Sequence, residues 1–490
     1  MTLSGKHKRR IAIIGGGPGG ICQAITLRAA GYDNLTIYEL SDGIGGTWHR
    51  NRYPGLECDI TSDLYTFTFA PNPDWSNSYP PQPEILAYMQ KTARDHDIDR
   101  HVRLNTGVAG ARWDDAAQEW ELTLSTGEIA RFDVIIGAVG MFGPLQWPDV
   151  PGREDFKGTL FHSGAWPADA DLTGKTVSVI GTAASAVQFI PKIAQIAGKL
   201  QIFQRSPHWV LPKVIEHFDD AEKARRHVDP KILADAREVA YEQLDAFANW
   251  GSFDDAEQFE EWGRQHIAVV NDPKLREVLT PKTSWGCTRP LLSNEYYPVF
   301  NRDNVELIPH GVTRITPTGL VDATGVERSS DVIVCATGFA VDRFISVFPV
   351  HGLGGGSLDE AWREGAQAYL GITTSGFPNM FMLYGPNTNN NSILWMLECQ
   401  SNYVVRQLQR MDAEAVKWID IKPDVMDAYN RKLAGEIAEV KIWAAGCHNY
   451  YSNPSGRVVT QYPHNMTVYR DVTSVDDWQA YRVEREAAAS

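Results

Sequence analysis

Residues 11–20 read Ile-Ala-Ile-Ile-Gly-Gly-Gly-Pro-Gly-Gly, an apolar tetrapeptide that runs straight into a glycine-rich turn. Four consecutive apolar residues suit a strand covered on both faces. A helical pattern, Ile21 to Ala30, follows the turn, and Leu35 to Leu40 reads as a second strand. Within the turn Gly15, Gly17 and Gly20 hold the spacing Gly-x-Gly-x-x-Gly. The first glycine permits the tight bend, the second lets a pyrophosphate approach the backbone, and the third lets helix pack on strand. The N-terminus of that helix offers amide donors and a partial positive charge to a phosphate. Glu39, 24 residues after Gly15 and near the end of the second strand, is placed to accept ribose hydroxyls. Strand, turn, helix and acid in register predict a nucleotide-binding βαβ unit.

The pattern occurs a second time. Residues 177–186 read Val-Ser-Val-Ile-Gly-Thr-Ala-Ala-Ser-Ala, keeping only Gly181 of the three glycines. Alanine is small enough for the loop to form, with tighter room for phosphate. The next strand ends in Gln204-Arg205-Ser206, where an NAD site would carry an acid. An arginine there pairs with a 2′-phosphate that a carboxylate would repel, which favours NADPH over NADH; the bland reading is an ordinary surface arginine. Two nucleotide pockets in one chain suggest electrons passing between two cofactors.

The rest of the chain arranges itself around these two units. Trp120 to Ile136 reads as a hairpin turned at Thr126-Gly127 that leads into a buried strand. The proline-rich stretch 143–152 reads as a linker. Residues 214–285 turn charged and helix-favouring, with their charges on a solvated face. Val332 to Cys335, followed by Thr337 and Gly338, reads as a closing strand of the second unit, and residues 376–389 as the return to the first. The expected fold class is α/β: two Rossmann-like dinucleotide-binding domains with a mainly helical insertion in the second. The expected boundaries are 1–145 with 345–490 for the first domain, 152–213 with 286–344 for the second, and 214–285 for the insertion.

A formal net charge of −15 with no long basic block argues against nucleic acid as a partner. The six cysteines, Cys22, Cys58, Cys287, Cys335, Cys399 and Cys447, form no Cys-x-x-Cys pair, so neither a zinc site nor a disulfide framework is indicated and a reducing cytoplasm fits. No metal is expected. The basic start ahead of Ile11 imitates a leader, but glycines interrupt the apolar run after four residues. No apolar stretch reaches the roughly 18 residues a membrane span needs.

Two longer patterns narrow the chemistry. Residues 156–167 fit Phe156-x-Gly158-xxx-His162-xxx-Trp166-Pro167, and residues 46–59 fit Gly46-x-Trp48-xxxx-Tyr53-Pro54-Gly55-xxx-Asp59. Both resemble signatures of the type I Baeyer-Villiger monooxygenases, and the stretch from Gly286 resembles the family segment that bears an active-site arginine, here Arg289. The resemblance covers nearly the whole chain. It implies FAD in the first domain, held by Gly15, Gly17, Pro18, Gly20, Glu39, Gly46, Thr47, Trp48, Tyr53 and Asp59. It implies NADPH in the second, held by Gly181, Thr182, Ala184, Ser185, Arg205, Ser206, Thr337 and Gly338. It implies that NADPH reduces FAD, that the flavin captures dioxygen as a C4a-peroxyflavin, and that this attacks a ketone to give an ester or lactone.

Arg289 and Asp59 are the catalytic candidates. A guanidinium stays protonated at any working pH and offers donors in a rigid fork, which suits the negative charge of a peroxide and of its carbonyl adduct. Asp59 is its expected partner, with helix capping the bland alternative, as a structural ion pair is for Arg289. Phe156, Gly158, His162, Trp166 and Pro167 are expected in a loop that links the domains and moves with NADP, with buried packing residues as the other reading. One departure stands out: the family carries lysine just before the arginine, and this chain has Thr288. The lining of the substrate pocket is expected from Leu291 to Tyr297 and Asn387 to Trp395. An N- or S-oxygenating flavin monooxygenase and a silent nucleotide-sensing flavoprotein share this layout. So does a disulfide reductase, though Cys58 has no redox partner nearby in sequence.

Overall fold

The computed structural model describes residues 7–250, 254–444, 451–453 and 455–485. Cys447, residues 1–6 of the basic start, and Tyr450 and Pro454 near the C-terminus lie outside the described residues.

Ile11–Ile14 is a strand with all four side chains buried. It occupies the middle of an all-parallel sheet in the order Met380–Met382, Val134–Gly137, Ile11–Ile14, Leu35–Tyr38, Val102–Arg103. Alternate side chains of a strand point to opposite faces, and here each face finds its own apolar layer. Ile11 and Ile13 pack with Ile21 of the helix Pro18–Ala29 and with Leu397 of the helix Ile393–Ala413. Ala12 and Ile14 pack with Trp113 and Trp120. Those tryptophans belong to a sheet in which Val108–Asp114, Glu119–Leu124 and Ile129–Phe132 run antiparallel and Val350–His351 adds in parallel at one edge. Its second turn carries Gly127 at φ +85°, a conformation glycine adopts without penalty.

The second parallel sheet runs Val305–Ile308, Lys199–Phe203, Thr176–Ile180, Val332–Cys335, Thr159–His162. Its last strand corrects the loop expected over residues 156–167. Thr159 to His162 pairs in parallel with Val332 to Cys335, and only Ser163–Ala165 beyond it forms a short helical turn. Four residues bounded by glycines look like a loop from local sequence alone. A partner strand more than 170 positions away makes them an edge strand.

Among the described residues, four α-helices lie in the segment between the two halves of this unit: Asp220–Val228, Pro230–Phe247, Ala256–Ile267 and Pro273–Leu279. Three start on aspartate caps, with Asp219, Asp229 and Asp272 accepting from Glu222, Lys231 and Lys274 amides at 2.8, 3.0 and 2.8 Å. The group also docks on the chain's return to the first sheet. Asn391 Nδ2 donates to the Leu244 carbonyl at 2.7 Å, and Tyr241 lies tilted against Trp395 with ring centres 4.4 Å apart.

Among the described residues no helix is long and apolar enough to cross a membrane, and no cluster of His, Cys, Asp or Glu is arranged to hold a metal ion. Cys22, Cys58, Cys335 and Cys399 are free thiols. Cys287 is disulfide-bonded, which departs from the expectation of uniformly reduced cysteines.

Candidate active site

Both glycine turns sit at the C-terminal ends of central parallel strands, where open α/β sheets bind ligands. At the first, Gly15 has φ +115°, and a Cβ there would lie 2.3 Å from the Ala138 carbonyl oxygen. A Cβ on Gly20 would lie 1.9 Å from the Gly15 oxygen, so the first and third glycines serve the turn itself. Gly17 meets Gly46, whose own Cβ would come within 2.7 Å of Gly17 Cα. The Pro18–Ala29 helix begins with no side-chain cap, as a phosphate-binding helix N-terminus does. Glu39 is buried. It accepts from the Gly16 amide at 2.7 Å, from the Ser41 amide at 2.8 Å and from the Ser41 hydroxyl. A Cβ at Gly140 would meet nothing within 4 Å, so space lies open beside the sheet edge. These features fit a dinucleotide.

Thr47 and Trp48 form one helical turn behind Gly46. Trp48 is buried and donates from Nε1 to the Tyr65 hydroxyl at 2.9 Å.

At the second turn Gly181 has φ +102°, and a Cβ there would lie 2.6 Å from the Ala336 oxygen. The helix Ala184–Ile193 again starts uncapped. Thr182 is buried, while Arg205 and Ser206 stand exposed beyond the end of the neighbouring strand. The Thr337 hydroxyl donates to the Gln146 carbonyl at 2.5 Å, and the Gly338 carbonyl accepts from the Gln146 amide at 2.9 Å. Those two residues therefore pin the linker to the second sheet, and the backbone of Gly338 keeps open space at its Cβ position. Thr288, standing where the family carries lysine, lies 3.1 Å from His208 Nδ1. Burial, and after it the Arg205 guanidinium, push His208 down to about 4, so its ring is neutral near pH 7.

The structure brings Arg289 and Asp59 together across 230 positions. Both Nε, at 3.2 Å, and Nη2 of Arg289 donate to Asp59 Oδ2. About a third of each side chain is exposed. Burial works to raise the Asp59 carboxyl. Arg289, followed by Lys213, outweighs it and holds Asp59 below the ordinary carboxylate range.

The loop that carries Asp59 is clamped to the second unit. Tyr53 donates to Gln188 Oε1 at 3.1 Å, and Gln188 Nε2 donates to the Glu57 carbonyl at 2.9 Å. Gly55, at φ +80°, admits the Gln188 carbonyl at a distance that a Cβ would reduce to 2.5 Å.

The fingerprint residues are packing residues in this conformation. His162 is fully buried between Trp147 and Phe339, with burial pushing its imidazole down. Trp166 packs edge-on against Phe161, with centroids 5.0 Å apart, and tilts over Phe189 at 5.2 Å. Gly158 is required by the Asp331 carbonyl, which a Cβ would approach to 2.4 Å. Phe156 joins the apolar cluster beneath Trp147, and Pro167 opens a turn closed by the Ala170 amide. The expected pocket lining is corrected in part. Leu291–Leu292 pairs with Val210–Leu211, and Tyr296 and Tyr297 are buried in the apolar core.

Sequence reasoning missed Gln188, His208 and Lys213. For Lys213 the apolar neighbours Leu211, Val214 and Ile215 give no more than a local hint, and its partners Glu57 and Cys58 lie more than 150 positions away.

A family model described as flavin-binding monooxygenase-like matches residues 8–222. A Baeyer-Villiger monooxygenase of Pseudomonas aeruginosa is 36% identical over 483 residues, covering 97% of this chain and 91% of that one. One of Streptomyces coelicolor is 35% identical over 490 residues, covering 98% and 93%. The chain belongs to the Baeyer-Villiger monooxygenase family. A steroid monooxygenase solved with NADP superposes with TM-score 0.87 at 28% identity, covering 98% of this chain and all of that one. Closed cyclohexanone monooxygenase gives the same TM-score at 27% identity and the same coverage. Membership in this family places the protein among the monooxygenases and sets aside the N- or S-oxygenating alternative.

Proposed function

We propose that this Baeyer-Villiger monooxygenase uses FAD, NADPH and dioxygen to insert one oxygen atom beside a ketone carbonyl, releasing an ester or lactone. The observation that carries the site assignment is the Arg289–Asp59 pair, held where the loop from the first nucleotide unit meets the second. FAD belongs to the first turn, with Gly15, Gly17, Pro18, Gly20, Glu39, Gly46, Thr47, Trp48, Tyr53 and Asp59 around it. NADPH belongs to the second, with Gly181, Thr182, Ala184, Ser185, Arg205, Ser206, Thr337 and Gly338. Residues 1–145 with 345–490, 152–213 with 286–344, and 214–285 form the corresponding domains. Sheet membership supports that division, because Met380–Met382 returns to pair with Val134–Gly137. Four free thiols support a reducing, cytoplasmic setting, and the bonded Cys287 is the feature against it.

When bound and reduced, FAD supplies the activation of dioxygen that no amino-acid side chain provides. The chain's own groups supply charge and position. Arg289 presents a permanent cation, about a third of it exposed, while Asp59 holds its rotamer. A cation fixed beside developing oxyanion charge lowers the barrier without having to reorganise. Asp59, ionised by its cationic neighbours, anchors that cation and does not itself exchange a proton near neutral pH. His162, buried and neutral, moves no proton.

Incubation with isotopic dioxygen, NADPH and a panel of cyclic, linear and aromatic ketones tests the reading. One label in the ester oxygen of a product is expected. Arg289→Ala is expected to lower ester formation by about 10²–10³-fold while NADPH still reduces the flavin. Unchanged ester yield in that variant would remove Arg289 from its role.

A further inference from the structure

Lys213 belongs to none of the motifs, yet only 2% of its side chain is exposed. Its ammonium donates to Glu57 Oε1 at 2.7 Å and to the Cys58 carbonyl at 3.1 Å, and it lies 4.3 Å from the centre of the Tyr79 ring. A buried ammonium survives only with such partners, since desolvation alone costs several kcal/mol. The backbone at the same residue is gripped from the opposite side. Asn294 Oδ1 accepts from the Lys213 amide at 2.8 Å, and Asn294 Nδ2 donates to the Lys213 carbonyl at 2.7 Å. Just before it, Val210–Leu211 runs parallel to Leu291–Leu292, the strand that starts two residues after Arg289. One lysine thus joins the loop that ends in Asp59 to the segment that begins at Arg289.

Building on the Arg289–Asp59 reading above, we propose that Lys213 is the positioning residue of that pair, a second cation behind Asp59. It fixes the loop from Glu57 to Asp59 against the second unit and keeps the Asp59 carboxylate charged independently of where the Arg289 side chain points. The groups facing Asp59 are the cations Arg289 and Lys213, the anion Glu57 beside Lys213, and the neutral Cys58, Tyr53, Tyr65 and Tyr79. Burial raises Asp59 and the two cations lower it. With the Lys213 charge removed, burial is opposed by one cation instead of two, so the carboxyl titrates at higher pH.

The test is a pH titration of the full chain followed by infrared difference spectroscopy, the Asp59 carboxyl band being the one that Asp59→Asn abolishes. Ester formed per NADPH consumed is measured in parallel. Lys213→Met is expected to move the Asp59 midpoint up by roughly one pH unit and to lower ester yield on the acid side, with Lys213→Arg restoring both. Glu57→Gln, which leaves the Lys213 charge less compensated, is expected to move the midpoint down. A midpoint in Lys213→Met equal to that of the unsubstituted protein overturns the proposal. If that variant does not fold, an unmoved midpoint in Glu57→Gln overturns it equally. Unchanged ester yield in Asp59→Asn would instead sink the role of the pair, a failure the infrared midpoint does not share.

Discussion

Arg205 stands exposed at the end of the Lys199–Phe203 strand, with its Cγ 3.8 Å from where a Gly311 Cβ would be. Thr288 is engaged with His208 and His208 is neutral near pH 7, so neither carries a charge there, whereas Arg205 does. A guanidinium gains bidentate, charge-assisted hydrogen bonds from a 2′-phosphate and has nothing comparable to gain from a 2′-hydroxyl. Arg205→Ala is therefore expected to raise the KM for NADPH by roughly tenfold or more, at about 1.5–3 kcal/mol per charged hydrogen bond lost, and to leave the KM for NADH nearly unchanged. Equal changes for the two coenzymes would remove the 2′-phosphate assignment. The place of this residue could be read from sequence because it is counted from a glycine turn in the same βαβ unit. Lys213 was not, because its burial is created by Glu57, Cys58 and Tyr79, which lie 134 to 156 positions away.

Among elements, the two central strands and their glycine turns were plain in sequence, since a doubly covered strand must be apolar at every position. The edge strand Thr159–His162 was not, and the difference is physical. An edge strand of four residues draws its stability from one neighbour, here Val332–Cys335, and carries no run long enough to announce itself. Gly158 marks its start because the Asp331 carbonyl, which accepts from the Thr159 amide at 3.1 Å, passes against it. Gly158→Ala would press a methyl group into that carbonyl and the Phe156 ring, a form of overpacking that costs about 1–3 kcal/mol. A lowered thermal midpoint with normal FAD content is the expected result, since the first nucleotide unit is untouched. An unaltered midpoint would mean that the strand end has slack the geometry does not show.

Across the whole molecule, chemistry at the Arg289–Asp59 pair depends on two nucleotide units keeping a common register. Family resemblance named the pair, but nothing in the order of residues said what joins the units behind it. The structure supplies the answer in Gln188, near the middle of the first helix of the second unit. Its side chain accepts from Tyr53 and donates to the Glu57 carbonyl, while its own carbonyl is approached by Gly55. Gln188→Ala deletes two hydrogen bonds across the junction, at about 1 kcal/mol each, and leaves both glycine turns and Arg289 in place. NADPH reduction of the flavin needs only the two nucleotide pockets, whereas ester formation needs Asp59 held against Arg289. Coenzyme consumption is therefore expected to continue while ester yield per NADPH falls several-fold, with the missing equivalents recovered as hydrogen peroxide. A variant in which ester yield stays level with NADPH consumption would show that the junction is held without this glutamine side chain.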